Sequence, residues 1–516
     1  MKRRTYIFLF LLALIVQIAV AALEKVPGYL DADYYFAGGI QLAQGHGFTE
    51  PYIWTYLDDP QGLPHPSHGY WMPLASIIAA LGMVLTGQQT YTAGRLFFIL
   101  IAALAPPLTA ALAYTFSERP ALAFISGVLA IFSVFHLPFL PVTDNYGIFM
   151  ILGGLYFLLA DRPRPWFWLG LFAGLMTLAR SDGLLWLALT FLLILWHVKD
   201  ASPANFVAYA SQITQYALFA FLGFLLIMGP WYLRNWSVYG SLMSPGGTRA
   251  LWLTVYDETF IYPASKLTMQ SWLASGWGEI LKVRLWALGT NLQTMFAAQG
   301  GLILFPFILV GMWLRRAERR VQLGFVAWII LFAVLSLAFP FAGVRGSFFH
   351  AGAALQPLFW SLTPLGLDAV VAWARKRGRF TDQAYVVFRV ALIQIVIMLS
   401  VYVVWLRIFE KGWDEGEAGY PAVEQFLVAH GIGSGQPIIV LNSPGYYIMT
   451  GRPAISQPYG GVDTLLAVAE RYHAHYFAFE ASGRLKPLSD LYDHPQNYDQ
   501  LDYLGEVDGT RVFKIP

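Results

Sequence analysis

The chain alternates between long apolar runs and short polar segments over most of its length. Apolar runs of roughly 15 to 20 residues that are bounded by charged residues are typical of helices that cross a bilayer. Runs of this kind occur at 5–23, 71–87, 94–116, 120–137, 146–160, 166–180, 184–198, 213–232, 300–314, 322–340, 348–373 and 386–408. The pattern predicts an α-helical polytopic membrane protein.

Lysines and arginines are concentrated between certain runs, and the positive-inside rule assigns such clusters to the cytoplasm. They are Lys2–Arg4, Arg119, Arg162 with Arg164, Lys199, Arg315–Arg320 and Arg375–Arg379. An even number of spans must separate any two clusters, which holds if 71–87, a short run that contains Pro73, lies in the outer interface. We therefore predict about eleven spans, a cytoplasmic N-terminus and an extracytoplasmic C-terminus. In the alternative, 71–87 crosses and a neighbouring run does not.

Three segments then face outward: 24–93, 233–299 and 411–516. The last of them has a soluble composition, with seven basic against thirteen acidic residues. Helix-like stretches alternate in it with short apolar strands, which favours a small α/β domain. The helices are predicted at 421–430 and 463–473, and the strands at 437–441, 475–479, 502–506 and 510–514. We predict a membrane module over 1–409, including the outer loops 24–93 and 233–299, and a soluble α/β domain over 410–516.

Composition narrows the possible functions. Of the 516 residues, 57% are hydrophobic and 12% are charged, about half the charged share of a soluble chain. This balance excludes a soluble enzyme and a nucleic-acid-binding protein. The absence of cysteine excludes disulfides, thiolate catalysis and cysteine-ligated zinc or iron–sulfur centres. The chemistry must therefore rest on other polar side chains of the outward-facing segments.

Two carboxylates follow the first apolar run directly. Asp31 and Asp33 open a stretch whose apolar spacing predicts a helix along the membrane interface. A carboxylate at this place could take a proton from a hydroxyl group or share a divalent cation with its neighbour. The alternative is that Asp31 caps the helix and Asp33 is solvated.

A third carboxylate, Asp144, follows Thr143 in a predicted outer hairpin at the same membrane face. Its alternative role is to cap the next membrane helix. Because independent acidic groups converge on one face, we predict a shared site. Asp31, Asp33 and Asp144 could together hold Mg²⁺ or Mn²⁺ there.

Arginines also occur on the outer side, against the positive-inside bias. Arg234 and Asn235 lie at the outer end of a span, and Arg345 and His350 lie in a second outward segment. An outer arginine needs an anion, which is either a lipid headgroup reached by snorkelling or a substrate phosphate held by bidentate hydrogen bonds. We predict that these four residues and Asp144 contact the substrate or its phosphate.

The segment Pro64-His65-Pro66 leads through His68 to Tyr70 and the interfacial run. His65 and His68 could bind a metal ion, but two histidines without a nearby cysteine form a weak metal pattern. The alternative to metal binding is that this segment packs as a polar loop or that His65 and Tyr70 contact the substrate.

The order of these motifs resembles the GT-C superfamily of membrane glycosyltransferases, near the dolichyl-phosphate-mannose protein mannosyltransferase and aminoarabinose-transferase families. The resemblance rests on the block from Asp31 to Phe48, the proline- and tryptophan-containing stretch 64–73, Thr143-Asp144, and 230–235 with Tyr239-Gly240. It covers the first 250 residues or so and the general layout of spans. Family members often have adjacent acids where this chain has Asp31-Ala32-Asp33, and Lys-Pro-Pro where it has Pro64-His65-Pro66.

The resemblance implies transfer of a sugar from a polyprenyl-phosphate-linked donor to an acceptor hydroxyl on the extracytoplasmic face. It implies that Asp31 is the catalytic base, with Asp33 as the competing assignment, and that Arg345 or Arg234 stabilises the departing phosphate. Related families include members with and without a metal ion. The acceptor is a glycan, a lipid or a protein of the cell envelope, and the short loops favour a prokaryotic inner membrane.

Two other functions fit parts of the pattern. A transporter or flippase for a lipid-linked or small solute is the main alternative, although ionisable residues are scarce within the predicted spans. An assembly protein that binds a partner through residues 411–516 is the other alternative.

Overall fold

The structure is a computed structural model that describes residues 1–201 and 205–516. It divides into two compact units. The helical unit contains Met1–Leu23, Arg95–Arg234 and Val283–Glu410, and the α/β unit contains Glu24–Gly94, Asn235–Lys282 and Lys411–Pro516.

The helical unit consists of apolar helices connected by short turns. The helices of ten residues or more that lie wholly or mostly in it are Arg3–Leu23, Leu96–Ser117, Pro120–Ile131, Tyr146–Leu159, Trp166–Ala179, Leu184–Ala201, Phe206–Tyr239, Trp277–Thr294, Phe305–Leu314, Arg319–Leu337, Gln356–Lys376 and Ala384–Trp405. Short helical segments at Val134–Phe139, Pro340–Ala342, Gly343–Ser347 and Phe348–Gly352 interrupt this pattern.

Six helical stretches in the described part of the chain are long and apolar enough to cross a bilayer. They are Arg3–Leu23, Tyr91–Ser117, Ser181–Ala201, Phe206–Tyr239, Arg319–Leu337 and Ala384–Glu410. A seventh span is possible if Trp277–Gln299 and Leu302–Leu314, which are bent by 88° at their junction, act as one. The chain is thus an integral membrane protein with a mostly helical fold, as predicted.

Four further apolar helices are shorter, with 10 to 17 residues: Leu74–Thr86, Pro120–Ile131, Tyr146–Leu159 and Trp166–Ala179. At 1.5 Å per residue, a helix of 13 residues extends over only about 20 Å, less than the hydrocarbon core of a bilayer. Leu74–Thr86 has 13 residues, and the other three, which were predicted as spans, have 12 to 14, so helix length does not distinguish 71–87 from them. The number of about eleven spans and their orientation stay predictions.

The α/β unit is built around a six-stranded mixed sheet. Its strand order is β2-β5-β4-β6-β8-β7, and β1 and β3 form a separate antiparallel pair. The strands are β1 (Thr49–Glu50), β2 (Tyr52–Ile53), β3 (His65–Pro66), β4 (Ile438–Val440), β5 (Ala454–Ser456), β6 (Tyr476–Glu480), β7 (Asp502–Val507) and β8 (Thr510–Lys514). The accompanying α-helices are Leu30–Ala43, Leu74–Thr86, Tyr91–Gly94, Pro245–Arg249, Met269–Ala274, Tyr420–Ala429, Ser443–Thr450, Val462–Tyr472 and Ser489–Asp493.

The α/β character of the C-terminal region confirms the prediction, and every predicted strand and helix is present within a few residues. Helix Ser443–Thr450 and strand β5 were not predicted. The strand has only three residues, all buried, so its sequence carries no period-two alternation.

One edge of this sheet comes from a distant part of the chain. Strand β2, from the segment after the first span, pairs in parallel with β5 through the register Tyr52 to Ala454 and Ile53 to Ile455. Buried residues of the two segments, including Ile53, Tyr56, Ile439 and Ile455, share one hydrophobic core. Residues 24–94 and 235–282, which we predicted as loops of the membrane module, therefore fold in one compact unit with 411–516.

Candidate active site

Helix Leu30–Ala43 carries both carboxylates of its segment in its first turn. Asp31 is half-buried, whereas Asp33 is fully buried. Oδ2 of Asp33 accepts a hydrogen bond of 2.7 Å from Nδ2 of Asn442. Successive residues of a helix are rotated by about 100°, so the two side chains leave the helix on nearly opposite sides.

Asp33 is also paired with Glu417, which is 2% exposed. Burial, followed by the charge and the hydrogen bond of Glu417, raises the pKa of the Asp33 carboxyl well above its usual range. Burial raises the pKa of Glu417 as well. Two carboxyl groups that share a buried site cannot both ionise cheaply, so Glu417 and burial together disfavour the charged form of Asp33.

The segment before the helix is fixed by residues that follow the last span. The backbone N–H of Gly28 donates to Oε1 of Glu417 at 3.1 Å. The indole Nε1 of Trp413 donates to the carbonyl of Val26 at 2.9 Å. Gly28 has a φ of +82°, and a Cβ added there would overlap the ring of Trp413. The position therefore requires glycine both for its backbone conformation and for space.

His65 lies in the β1–β3 pair and is 4% exposed. Its Nε2 is 3.1 Å from Oε1 of Glu50, the residue opposite it in the strand register, and 3.0 Å from the carbonyl of Tyr52. Burial by itself lowers the pKa of His65, but the charges of Glu50 and Asp58 outweigh it and raise the pKa to about 9. His65 is therefore an imidazolium in a buried ion pair, which leaves it poorly suited to bind a metal ion.

Tyr70 belongs to a group of aromatic rings in the α/β unit. Its ring packs edge-on against Trp54, with centroids 5.5 Å apart, and Trp54 stacks on Trp71 at 4.0 Å. His68 is buried, and its ring nitrogens contact the hydroxyls of Ser67 and Ser76 at 2.7 and 3.1 Å. The aromatic rings of Tyr70 and Trp71 are therefore partly accessible, whereas both ring nitrogens of His68 contact serine hydroxyls inside the α/β unit.

In the helical unit, Asp144 and His350 form a buried pair. Nε2 of His350 lies 2.9 Å from Oδ2 of Asp144, and the two residues are 5% and 1% exposed. The imidazole also stacks on Tyr146, with ring centroids 3.9 Å apart. The structure therefore brings together two residues that we predicted separately.

The other ring nitrogen of His350 fixes its orientation. Nδ1 faces the carbonyl of Gly346 at 2.9 Å. A carbonyl only accepts hydrogen bonds, so Nδ1 donates to Gly346 and this bond turns Nε2 toward the carboxylate. Nε2 donates to Asp144 when it is protonated as well, and a metal ion bound at Nε2 would replace that proton. Histidine ligands of metal ions have this arrangement, because a bond at one nitrogen directs the other toward the ion. Aspartate and histidine are both common ligands of divalent transition metals.

Arg345 directly precedes Gly346, and its side chain is exposed. A buried amide, Gln299, holds this segment in place. Its Nε2 donates to the backbone carbonyl of Phe348 at 2.6 Å, and the backbone carbonyl of Gln299 accepts from Nε2 of Gln356 at 3.0 Å. The residues that follow Arg345 are thus bonded to Gln299 at Phe348 and to Asp144 at His350.

Arg234 and Asn235 are adjacent residues of helix Phe206–Tyr239. The Arg234 guanidinium lies 4.8 Å from the centre of the Trp231 ring, and its side chain is half-buried. The Asn235 amide is buried and donates to the carbonyl of Leu242 at 3.1 Å. Asn235 therefore stabilises the turn that follows its helix.

Sequence reasoning missed Glu417, Asn442 and Gln299. Glu417 and Asn442 lie about 400 residues from Asp33 in sequence, and Gln299 lies at the end of a helix without any recognisable motif. No local pattern marks a polar residue whose partner is so distant, so these contacts are visible only in the tertiary structure.

Comparison with solved structures shows the fold. ArnT from Cupriavidus metallidurans, solved bound to undecaprenyl phosphate, matches with a TM-score of 0.59 and 12% identity, over 99% of this chain and 98% of that one. An oligosaccharyltransferase from Archaeoglobus fulgidus, solved in complex with Zn and sulfate, matches with a TM-score of 0.56 and 11% identity, over 97% and 72%. The chain has the GT-C fold.

Another solved archaeal oligosaccharyltransferase has a similar fold. AglB from Archaeoglobus fulgidus, in complex with an inhibitory peptide and a dolichol-phosphate, has a TM-score of 0.51 and 13% identity, over 99% of this chain and 74% of that one. No protein-family model and no curated relative matches the sequence. A GT-C fold with so little sequence identity leaves the activity to be argued from the residues of the site.

Proposed function

We propose that this GT-C protein transfers a sugar from a polyprenyl-phosphate-linked donor to an acceptor hydroxyl at the extracytoplasmic face of a prokaryotic inner membrane. The acceptor is a glycan, lipid or protein of the cell envelope. The proposal is supported by a fold that solved proteins with bound undecaprenyl phosphate or dolichol-phosphate share.

Asp31 is the general base of the proposed reaction. It takes the proton of the acceptor hydroxyl, whose oxygen forms a bond to the anomeric carbon while the bond from that carbon to the phosphate oxygen breaks. Polyprenyl phosphate leaves with the electron pair, and the anomeric centre is inverted. Asp33 suits this role less well, because it is fully buried and bonded to Asn442, and because burial and the neighbouring Glu417 raise its pKa.

Arg345 and Arg234 are the proposed contacts of the leaving phosphate. A guanidinium offers paired N–H donors that match phosphate oxygens, and it stabilises the charge that develops as the phosphate departs. Arg345 is exposed and is held by a segment that is fixed at Gln299 and His350, so its backbone position is well defined.

A divalent cation fits Asp144 and His350. The fit rests on Nε2 of His350, which is directed at the Asp144 carboxylate by the bond of Nδ1 to Gly346. Such an ion, when bound, would supply positive charge to the phosphate. Asp33, which we first counted among the candidate ligands, fits less well because Asn442 and Glu417 occupy its carboxyl group.

One observation carries the proposal: in a chain with the GT-C fold, the first turn of helix Leu30–Ala43 carries one half-buried carboxylate, Asp31, while the other, Asp33, is fully buried and bonded to Asn442. The decisive experiment compares the envelope glycans and glycolipids of the source cells, with the gene deleted and restored, by mass spectrometry. A sugar that disappears on deletion and returns with the native chain but not with Asp31→Asn supports the proposal. An unchanged glycome with the loss of a solute flux would contradict it and favour transport.

A further inference from the structure

Asn442 makes two hydrogen bonds with opposite ends of one amide group. Its Oδ1 accepts from the backbone N–H of Gly445 at 3.1 Å and so caps helix Ser443–Thr450. Its Nδ2 donates to Oδ2 of Asp33 at 2.7 Å. Because the cap fixes which end of the amide carries the oxygen, the donor end is left pointing at Asp33.

The space for this amide is provided by Gly445. A Cβ added to Gly445 would lie 2.5 Å from Nδ2 of Asn442 and 2.9 Å from its Cγ, closer than packed atoms approach. Any larger residue would therefore displace the side chain of Asn442. The hydrogen bond from Asn442 to Asp33 therefore also depends on the absence of a side chain at Gly445.

Asp33 in turn controls the start of the helix that bears Asp31. The N-cap residue is Tyr29, which is not among the residue types that cap helices through their side chains. The first turn is instead tied by tertiary contacts, from Gly28 to Glu417 and from Asp33 to Asn442. Since Asp31 and Asp33 lie in the same turn, a helix that is held at Asp33 has a fixed direction for the Asp31 side chain.

We propose that Asn442 is a positioning residue, which holds the first turn of helix Leu30–Ala43 through Asp33 and thereby aims Asp31. The catalytic consequence rests on the proposed function, in which Asp31 is the base. The C-terminal segment would then take part in the reaction by fixing the geometry of the base, in addition to folding with residues 24–94.

The direct test uses the absence of cysteine from the native chain. Asp31→Cys introduces one thiol at a half-buried position, and its rate of modification by a maleimide in membrane vesicles reports how open the first turn is. We expect Asn442→Ser to raise this rate about tenfold, because a hydrogen bond to a buried acid is lost. Serine still caps a helix but is too short to reach Asp33, so helix Ser443–Thr450 is retained.

Two further variants make the test specific. The exchange Asp33→Asn with Asn442→Asp reverses donor and acceptor while keeping a capping residue at 442, and it should return the labelling rate to within about twofold of the parent. Thr268→Ala removes the side-chain cap of helix Met269–Ala274 in the same unit, and it should leave the rate unchanged. An unchanged rate in Asn442→Ser, or an equal rise in Thr268→Ala, would overturn the proposal.

Sugar transfer, measured as the product that gene deletion removes, is the second readout, with Asp31 intact. We expect a fall of at least tenfold in Asn442→Ser and in Gly445→Ala, recovery in the exchanged pair, and unchanged binding of undecaprenyl phosphate. If Asp33→Asn abolishes transfer and the double variant Asp33→Asn with Asn442→Asp does not restore it, Asp33 is the base and the proposal is refuted. If no product is found at all, the proposed function fails, while the labelling result still decides whether Asn442 holds the helix.

Discussion

Oδ2 of Asp144 lies 2.9 Å from Nε2 of His350, although 206 residues separate the two in the sequence. The carboxylate lies in the bend between the short helical segment Val134–Phe139 and helix Tyr146–Leu159, and the imidazole lies in a short helix that follows the irregular turn at Gly346. Their pairing places a carboxylate and an imidazole, two ligand types that suit a divalent transition metal, side by side in the helical unit.

This pair predicts a metal-binding property that can be measured without the sugar substrate. The purified chain should bind Mn²⁺ or Zn²⁺, and saturating ion should raise its unfolding temperature, because a ligand of the native state stabilises that state. His350→Gln and Asp144→Asn should each weaken binding at least tenfold by isothermal titration calorimetry.

The matched control is His430→Gln, which changes an exposed histidine of the α/β unit. It should bind the ion as the native chain does. Equal affinities for the native chain and His350→Gln would show that this pair is not a metal site and that it only ties the two segments together.

The second prediction concerns Asp31. Asp31→Asn should reduce sugar transfer at least 100-fold, because the amide cannot accept the acceptor's proton. Membrane insertion and binding of undecaprenyl phosphate should be unaffected. Transfer is measured as the product that disappears when the gene is deleted.

Asp59→Asn, at an exposed position of the same segment, is the control and should keep full activity. Full activity in Asp31→Asn would remove Asp31 as the base. If Asp33→Asn were fully active as well, neither carboxylate of helix Leu30–Ala43 would be the base.

The third prediction concerns the exposed guanidinium of Arg345. Arg345→Ala should weaken binding of undecaprenyl phosphate roughly 10- to 100-fold through the loss of charge-assisted hydrogen bonds. Arg345→Lys should recover only part of that affinity, because an ammonium lacks the planar paired donors. Binding is followed by microscale thermophoresis in detergent.

Arg316→Ala serves as the comparison, since it removes another exposed arginine, one that packs on Trp313 in a predicted cytoplasmic cluster. Its affinity for undecaprenyl phosphate should match that of the native chain. A similar loss in both variants would point to a general effect of surface charge on the lipid and not to a phosphate contact at Arg345.

The fourth prediction is a pH dependence of stability that arises from His65. Its pKa is raised to about 9, from an ordinary value of 6.5, because Glu50 and Asp58 outweigh the effect of burial. A raised histidine pKa stabilises the folded chain fully below about pH 6.5 and loses this contribution as the pH rises toward 9. The free energy of unfolding should therefore fall by up to about 3 kcal/mol over this interval.

Thermal unfolding followed by tryptophan fluorescence between pH 6.5 and 9 measures the effect. His65→Gln should flatten the dependence, and Glu50→Gln should destabilise the chain at pH 6.5, because it leaves a buried imidazolium without its partner. A native chain whose stability is constant over this range would show that His65 does not gain charge on folding.

Local patterns in the sequence predicted several elements well. Strand β8 lies at the predicted residues 510–514, and helix Val462–Tyr472 lies within one residue of its prediction. Helix Val462–Tyr472 has a clear apolar periodicity, and β8 contains a short apolar core between turn and polar residues, both of which a sequence displays directly. Strand β2 was not predicted, because two residues cannot show a period and its pairing with β5 depends on a segment about 400 residues away.

The sequence by itself determined that this is an integral membrane protein with a polar α/β region at its C-terminus, since apolar run length and residue alternation are local properties that the bilayer and the sheet impose. It also indicated Asp31, Asp144, Arg345 and His350 as candidate site residues. Only the tertiary structure decided which of these groups meet: His350 with Asp144, and Asp33 with Asn442, 409 residues apart. Asp33 differs from Asp31 because it is fully buried and contacts Asn442 and Glu417. The sequence pattern does not show this difference, because it carries no information about which distant residues come into contact in the folded chain.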